Sequence, residues 1–190
     1  AKLAQQQAQA GAIDALDAAV QQACAPRLVA HIKQHLGEGD GPRDVVSGTA
    51  VALTVQIAAL DGWTGSAALP DAQERLDVFS RTLRALVTAN HGQVEQVLGH
   101  RHLVLFPGDL DGVKRALVCA RELLATIPPD GVTGVQAAVH LGANLSGFFG
   151  DGLDATYLQV GEAVAVSRGA LDSPVAQPGT VLVTEAVRTM

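Results

Sequence analysis

The apolar pattern changes period in an order that few folds accommodate. Residues 51–60 form an apolar run broken only by Thr54 and Gln56, which reads as a strand buried on both faces, and Asp61-Gly62 supplies a turn. Pro70-Asp71 then opens a segment in which Leu76, Phe79, Leu83, Leu86 and Val87 recur at helical spacing until Asn90-His91-Gly92 ends it. Two short strands, residues 93–98 and 102–106, follow around Gly99-His100-Arg101 as a hairpin, and a second helix runs over residues 109–127.

Pro128-Pro129-Asp130-Gly131 stops that helix. Residues 135–141 and 145–149 read as two strands separated by Gly142-Ala143-Asn144, then a helix over 162–171 and a last strand over 180–184. Strand, helix, strand, strand, helix, strand is the βαββαβ order of ferredoxin-like folds, so the expected class is α+β: an antiparallel sheet covered by helices, with extra elements at its C-terminal side.

Before this core, residues 2–24 are rich in Ala and Gln and place Ile13, Leu16, Val20 and Ala23 at alternating three- and four-residue spacing. That seam admits two readings, a parallel two-helix stalk or an amphipathic helix lying on its own domain. Pro26 can open a second short helix with Val29, Ile32 and Leu36 on one face. Gly37, Gly39, Gly41, Pro42 and Gly48 punctuate the next stretch, so the expected organisation is a helical segment over 1–44 and one domain over 45–190.

Composition closes off several function classes. A chain that is 48% hydrophobic and 17% charged is globular rather than disordered, and a formal charge of −6 argues against a phosphate-neutralising surface for nucleic acid. The longest nearly uncharged apolar run is about half of the roughly 20 residues that span a bilayer. Cys24 and Cys119 form no CxxC pair, which fits a reducing cytoplasm. The chain opens on Ala1 with no charged and apolar leader, as expected of a segment of something longer, with an upstream sensory or membrane module before it.

Residues 53–64 read L-T-V-Q-I-A-A-L-D-G-W-T, which resembles the first strand and turn of the class III adenylyl and guanylyl cyclases, V-T-V-L-F-A-D-I-x-G-F-T. The similarity continues through His91-Gly92, Leu103-Val104-Leu105-Phe106, His140-Leu141-Gly142, Gly147-Phe148-Phe149-Gly150, Tyr157-Leu158-Gln159-Val160-Gly161 and Val181-Leu182-Val183-Thr184-Glu185-Ala186. It covers about 140 residues in the expected order, although any one of these strings alone would be weak. Residues 26–36 also look like the helix that precedes many bacterial cyclase domains, and the chain ends before the final strands that such domains usually add.

The resemblance implies a dimer in which each active site combines a metal half from one subunit with a transition-state half from the other. Cyclisation needs two divalent cations, Mg or Mn, normally held by two aspartates; those positions fall on Ala59 and His100. The Asn and Arg of the transition-state half fall on Ala165 and Gly169, with Arg168 one residue early, a rotation of about 100° on a helix. The base-selecting positions fall on Gln96 and Leu158. No conventional metal site is therefore expected and no cofactor is implied; the expected protein is a pseudoenzyme, a catalytically inactive homodimer serving as a dimerisation or regulatory module in intracellular signalling.

Two alternatives stand beside it. One is a nucleotide- or small-ligand-binding sensor that uses the dimer cleft without turnover. The other is a divergent cyclase with a site rebuilt from Asp61, His100, His102 and Arg168, in which imidazole ligands would favour zinc or another transition metal over magnesium. Gly147-Phe148-Phe149-Gly150-Asp151-Gly152 follows a strand and does not open a helix, unlike phosphate-cradling loops, and no GxSxG supports hydrolase chemistry.

Overall fold

The computed structural model describes residues 45–57, 69–98, 100–127, 134–149 and 156–190, together with residues 14, 15, 18 and 29. The chain divides into two compact units, residues 1–42 and 43–190, and every element below belongs to the second. The helices expected over 2–24 and 26–36, the Asp61-Gly62 turn and the Pro128–Gly131 stop lie outside the described residues, a few isolated N-terminal positions apart.

The elements are β1 (Val46–Ile57), α1 (Leu69–Ala89), β2 (Gln93–Leu98), β3 (Arg101–Pro107), α2 (Leu110–Thr126), β4 (Val135–Phe149), β5 (Thr156–Val160), α3 (Glu162–Leu171), β6 (Val181–Val183) and α4 (Glu185–Arg188). The strands form one sheet in the order β2-β3-β1-β4-β5, with β6 parallel to the first half of β4 and every other pairing antiparallel. This is the βαββαβ core with its extra elements on the β4 side.

β1 lies between β3 and β4, and its alternating side chains serve two cores. Val51, Leu53, Val55 and Ile57 join Val104 and Phe106 under α1 and α2, against Phe79, Leu83 and Val87 and against Val113, Ala116 and Leu123. On the other face Ala50 and Ala52 join Leu103 and Leu105 under α3, against Ala163 and Val164. Asp109 caps α2 by accepting a hydrogen bond from the Gly112 N–H at 2.7 Å. Cys119 is buried in the first core, where burial, helped by Glu122, pushes its thiol up to about 12, so it packs as an inert apolar group.

Two expectations need correction. β4 is continuous through Gly142-Ala143-Asn144, because Ala50, Thr49 and Gly48 pair with those three residues in an unbroken ladder. Gly142 serves close approach rather than a turn: a Cβ there would lie 3.0 Å from Glu162 Oε2 and 3.1 Å from the Ala163 nitrogen at the start of α3. For the same reason β1 starts at Val46, so Gly48 belongs to the sheet rather than to the linker. Gly161, which precedes α3, has φ +139°, and a Cβ on it would lie 2.5 Å from the Ala143 carbonyl oxygen, so only glycine fits.

The α3 contact also contains a buried polar pair. The Ser167 hydroxyl donates to the Val164 carbonyl at 3.2 Å, which leaves it accepting from Thr54 Oγ1 at 2.8 Å; both residues are fully buried. Ser167→Ala strands the Thr54 donor, whereas Thr54→Val removes only one acceptor interaction. Chemical denaturation should show Ser167→Ala costing about 1–3 kcal/mol, Thr54→Val less, and the double variant less than the sum.

His102 lies under α1, only 7% exposed, with its ring edge-on to Phe79 at 5.1 Å between centroids. Burial, reinforced by the Arg84 charge, holds it at about 4 instead of 6.5. Between those values the unfolded chain binds the extra proton, so this contribution to stability is complete above pH 6.5 and is lost as pH falls towards 4. The loss amounts to about 2 kcal/mol after allowing for partial screening. Denaturation at a series of pH values should show a shallower slope across that window in His102→Gln than in the parent chain.

Candidate functional site

The polar residues at the C-terminal end of β1 converge because three elements end there. The β2–β3 turn is tied to β1 by a hydrogen bond from the Ile57 N–H to the His100 carbonyl at 3.1 Å, which sets His100 beside the last described residue of that strand. Arg101, the first residue of β3, shares a sheet face with Gln56 and donates to its Oε1 at 2.8 Å. The end of α3 closes the cluster: the Arg101 guanidinium also pairs with Asp172, the residue that caps α3. That hydrogen bond, followed by the Arg101 and His100 charges, holds the Asp172 carboxyl below its ordinary range.

Arg168 lies one turn earlier on α3, half-buried, and donates to Gln96 Oε1 on β2 at 2.6 Å. Burial, with Arg101 nearby, lowers its pKa from the usual guanidinium value. Ala165 and Gly169 occupy exposed positions on the same helix, and a Cβ built on Gly169 meets nothing within 4 Å. Gln96, His100 and Arg168 are therefore brought to one end of the sheet.

Two of the remaining sequence candidates separate from that cluster. His102 sits one residue beyond Arg101 and faces α1, on the opposite side of the sheet. Leu158 pairs with Gly147 and alternates with Tyr157 and Gln159, so it too faces away from α3. Ala59 and Asp61 lie outside the described residues. Among the described residues, no three His, Cys, Asp or Glu side chains are placed to hold a metal ion.

Sequence reasoning missed a second polar group on the α3 side. Gln159 of β5 accepts from Asn144 Nδ2 at 3.0 Å and donates to Glu95 Oε2 at 3.1 Å and to the Tyr157 hydroxyl at 2.9 Å. Glu95 reaches that face because the β2–β3 register shifts between Val94 and Gln96. The only sequence signal was the polar run Gln93, Glu95, Gln96, which a half-exposed strand equally explains. His140 is a further buried polar residue, its Nδ1 2.7 Å from Thr184 Oγ1 and its Nε2 3.8 Å from Glu162.

No protein-family model matches the sequence, and no curated protein does. Solved structures do match the fold. The guanylyl cyclase Cya2 superposes with a TM-score of 0.65 at 15% identity, over 76% of this chain and 78% of its own. A bacterial light-regulated adenylyl cyclase matches at 0.78 and 14% identity over 99% of this chain, which spans 57% of that protein. The non-canonical dimeric guanylyl cyclase domain of the RhoGC fusion protein from the aquatic fungus Blastocladiella emersonii matches at 0.63 and 13% identity, over 77% of this chain and 84% of its own. No described helix is long and apolar enough to cross a membrane. With its βαββαβ core, its helix-covered sheet and these superpositions, the chain has the fold of the class III adenylyl and guanylyl cyclase catalytic domains.

Proposed function

We propose that this domain is a catalytically silent relative of the class III cyclases that acts as a dimerisation or regulatory module in signal transduction. The observation that carries the reading is the state of α3. At Ala165 and Gly169, where the family resemblance calls for an Asn and an Arg, the helix surface offers a methyl group and open space. Arg168, one residue before Gly169, is half-buried and directed at Gln96.

The metal half supports the same reading. Magnesium takes hard oxygen ligands in a near-octahedral shell, and the residue at the hairpin position, His100, offers an imidazole. Among the described residues, the carboxylate brought to this end of the sheet, Asp172, is engaged by Arg101. This donor set does not fit the two-cation chemistry of cyclisation, and no catalytic step follows from it. Self-association is supported by the RhoGC domain that shares the fold and forms a non-canonical dimer, and signalling by the light-regulated cyclase whose chain extends well beyond this one.

A second reading, a nucleotide- or small-ligand-binding sensor, is favoured by one observation: Arg101, bonded to Gln56 and Asp172, and Arg168, bonded to Gln96, bring two guanidinium groups, a type of group that binds phosphate, to one end of the sheet. Calorimetric binding of ATP, GTP or a cyclic nucleotide that persists in the presence of a chelator would select this reading.

Incubation with ATP and with GTP, in manganese and in magnesium, with the cyclic product quantified by mass spectrometry, should give no product above a protein-free blank. Metal-dependent product would overturn the proposal and make His100 and Arg168 the next residues to replace. Equilibrium sedimentation should find dimers; monomers at tens of micromolar would remove the dimerisation half.

A further inference from the structure

His140 joins three elements from inside the domain. It lies on β4 opposite Ala52, on the sheet face that α3 covers, and is 4% exposed. Its Nδ1 is 2.7 Å from the hydroxyl of Thr184, the residue between β6 and α4. Its Nε2 is 3.8 Å from Oε1 of Glu162, the first residue of α3, too far for a hydrogen bond, and is buried without one. Gly142 makes room for this approach, since a Cβ there would lie 3.0 Å from both His140 Nε2 and Glu162 Oε2.

Thr184 supplies the second observation. A threonine in front of a helix ordinarily accepts from the first N–H groups of that helix, yet Thr184 makes no side-chain cap on α4. Its hydroxyl stands instead between His140 and the Val139 carbonyl, 3.5 Å away, which also accepts the Thr184 N–H at 3.3 Å. A hydroxyl has one proton and donates to one of these partners at a time. With the imidazole neutral, the Glu162 carboxylate selects the tautomer protonated on Nε2, and Thr184 donates to Nδ1. A second proton enters at Nδ1; both ring nitrogens then donate, and Thr184 accepts from Nδ1 and turns its own proton to Val139.

We propose that His140 is a proton-operated latch: proton uptake draws Glu162 and the start of α3 onto β4 and, in the same step, reverses the hydrogen bond to Thr184 and fastens the β6–α4 junction to Val139. The Glu162 side chain is 61% exposed and free to close the gap. It is the charged group that α3 brings to the ring. The charged residues of α4, Glu185 and Arg188, pair with each other at 2.7 Å. β6 is Val181-Leu182-Val183, and β1 presents Ala50, Ala52 and Thr54 on this face, none of them titratable. Because α3 carries Arg168 and Asp172 at its other end, the latch bears on the helix that holds the polar cluster. The proposal does not depend on whether the domain turns over nucleotide.

The test is an NMR titration of the full chain from about pH 5 to 8.5, the window in which an imidazole ordinarily changes charge, following the His140 ring nitrogens and the backbone amides. The expected result is that the ring gains a proton within this window and that the amides of Ala143, Ala163 and Val187 shift with the same midpoint. Hydrogen exchange in the first turn of α3 should slow about threefold in the protonated state, as a partly exposed ion pair allows. In Glu162→Gln the midpoint should fall and the α3 amides should cease to follow the ring. In Thr184→Val the α4 amides should cease to follow while those of α3 still do. Glu162 is exposed, so its replacement leaves the core intact and keeps the test decisive if variants at His140 itself disturb folding. A ring that keeps one charge state throughout, a midpoint unchanged in Glu162→Gln, or α3 and α4 amides that move independently of the ring would each overturn the proposal.

Discussion

The close approach of α3 to β1 sets the geometry of everything on that side of the sheet, and it depends on small side chains. Ala50, Ala52 and Thr54 on β1 meet Ala163 and Ser167 on the helix, and glycines at 142 and 161 let the start of α3 settle against β4. Burying two hydroxyls in so tight a contact is tolerable only because they bond to each other and to the Val164 carbonyl. With the helix held that low, Arg168 and Asp172 at its far end come within reach of Gln96 and Arg101. The polar cluster is thus a consequence of small-residue packing along the same helix.

The opposite face follows a different rule. There β1 presents Val51, Leu53, Val55 and Ile57, and α1 and α2 cover them with large side chains that stand further off the sheet. Larger, irregular side chains leave more residual space than alanines do, and a cavity beside His102 lies on this face. One strand with small residues at even positions and branched residues at odd ones therefore builds a tight polar-ended contact on one side and a looser apolar layer with a pocket on the other.

The core was legible in sequence wherever periodicity carried it. α1 and α2 were placed within a residue or two by their apolar spacing, and β2 was read with its observed bounds. The failures came where a residue's role depended on a neighbour remote in sequence. Gly142-Ala143-Asn144 carries the composition of a turn, but the ladder to Ala50, Thr49 and Gly48 and the approach of Glu162 make it strand. His100 and His102 were grouped as members of one rebuilt site; yet β3 begins at Arg101, so His100 belongs to the turn, while His102 lies within the strand and faces α1. Glu95 could not be assigned to the α3 side, because a register shift between Val94 and Gln96 exists only as a relation between two strands.

The one-residue offset of Arg168 shows how a helix converts a small sequence change into a different chemistry. A side chain at position 169 would project from the exposed surface of α3, where a Cβ meets open space. One residue earlier, the helix turns the guanidinium by about 100° towards β2, where it is half-buried and bonded to Gln96. Returning it to the exposed face would break a charge-assisted hydrogen bond and leave the Gln96 amide oxygen to solvent. Arg168 in this chain instead joins α3 to the hairpin. Together with Arg101 and Asp172 it ties the end of the sheet to the end of the helix, which is the geometry the function proposed above draws on.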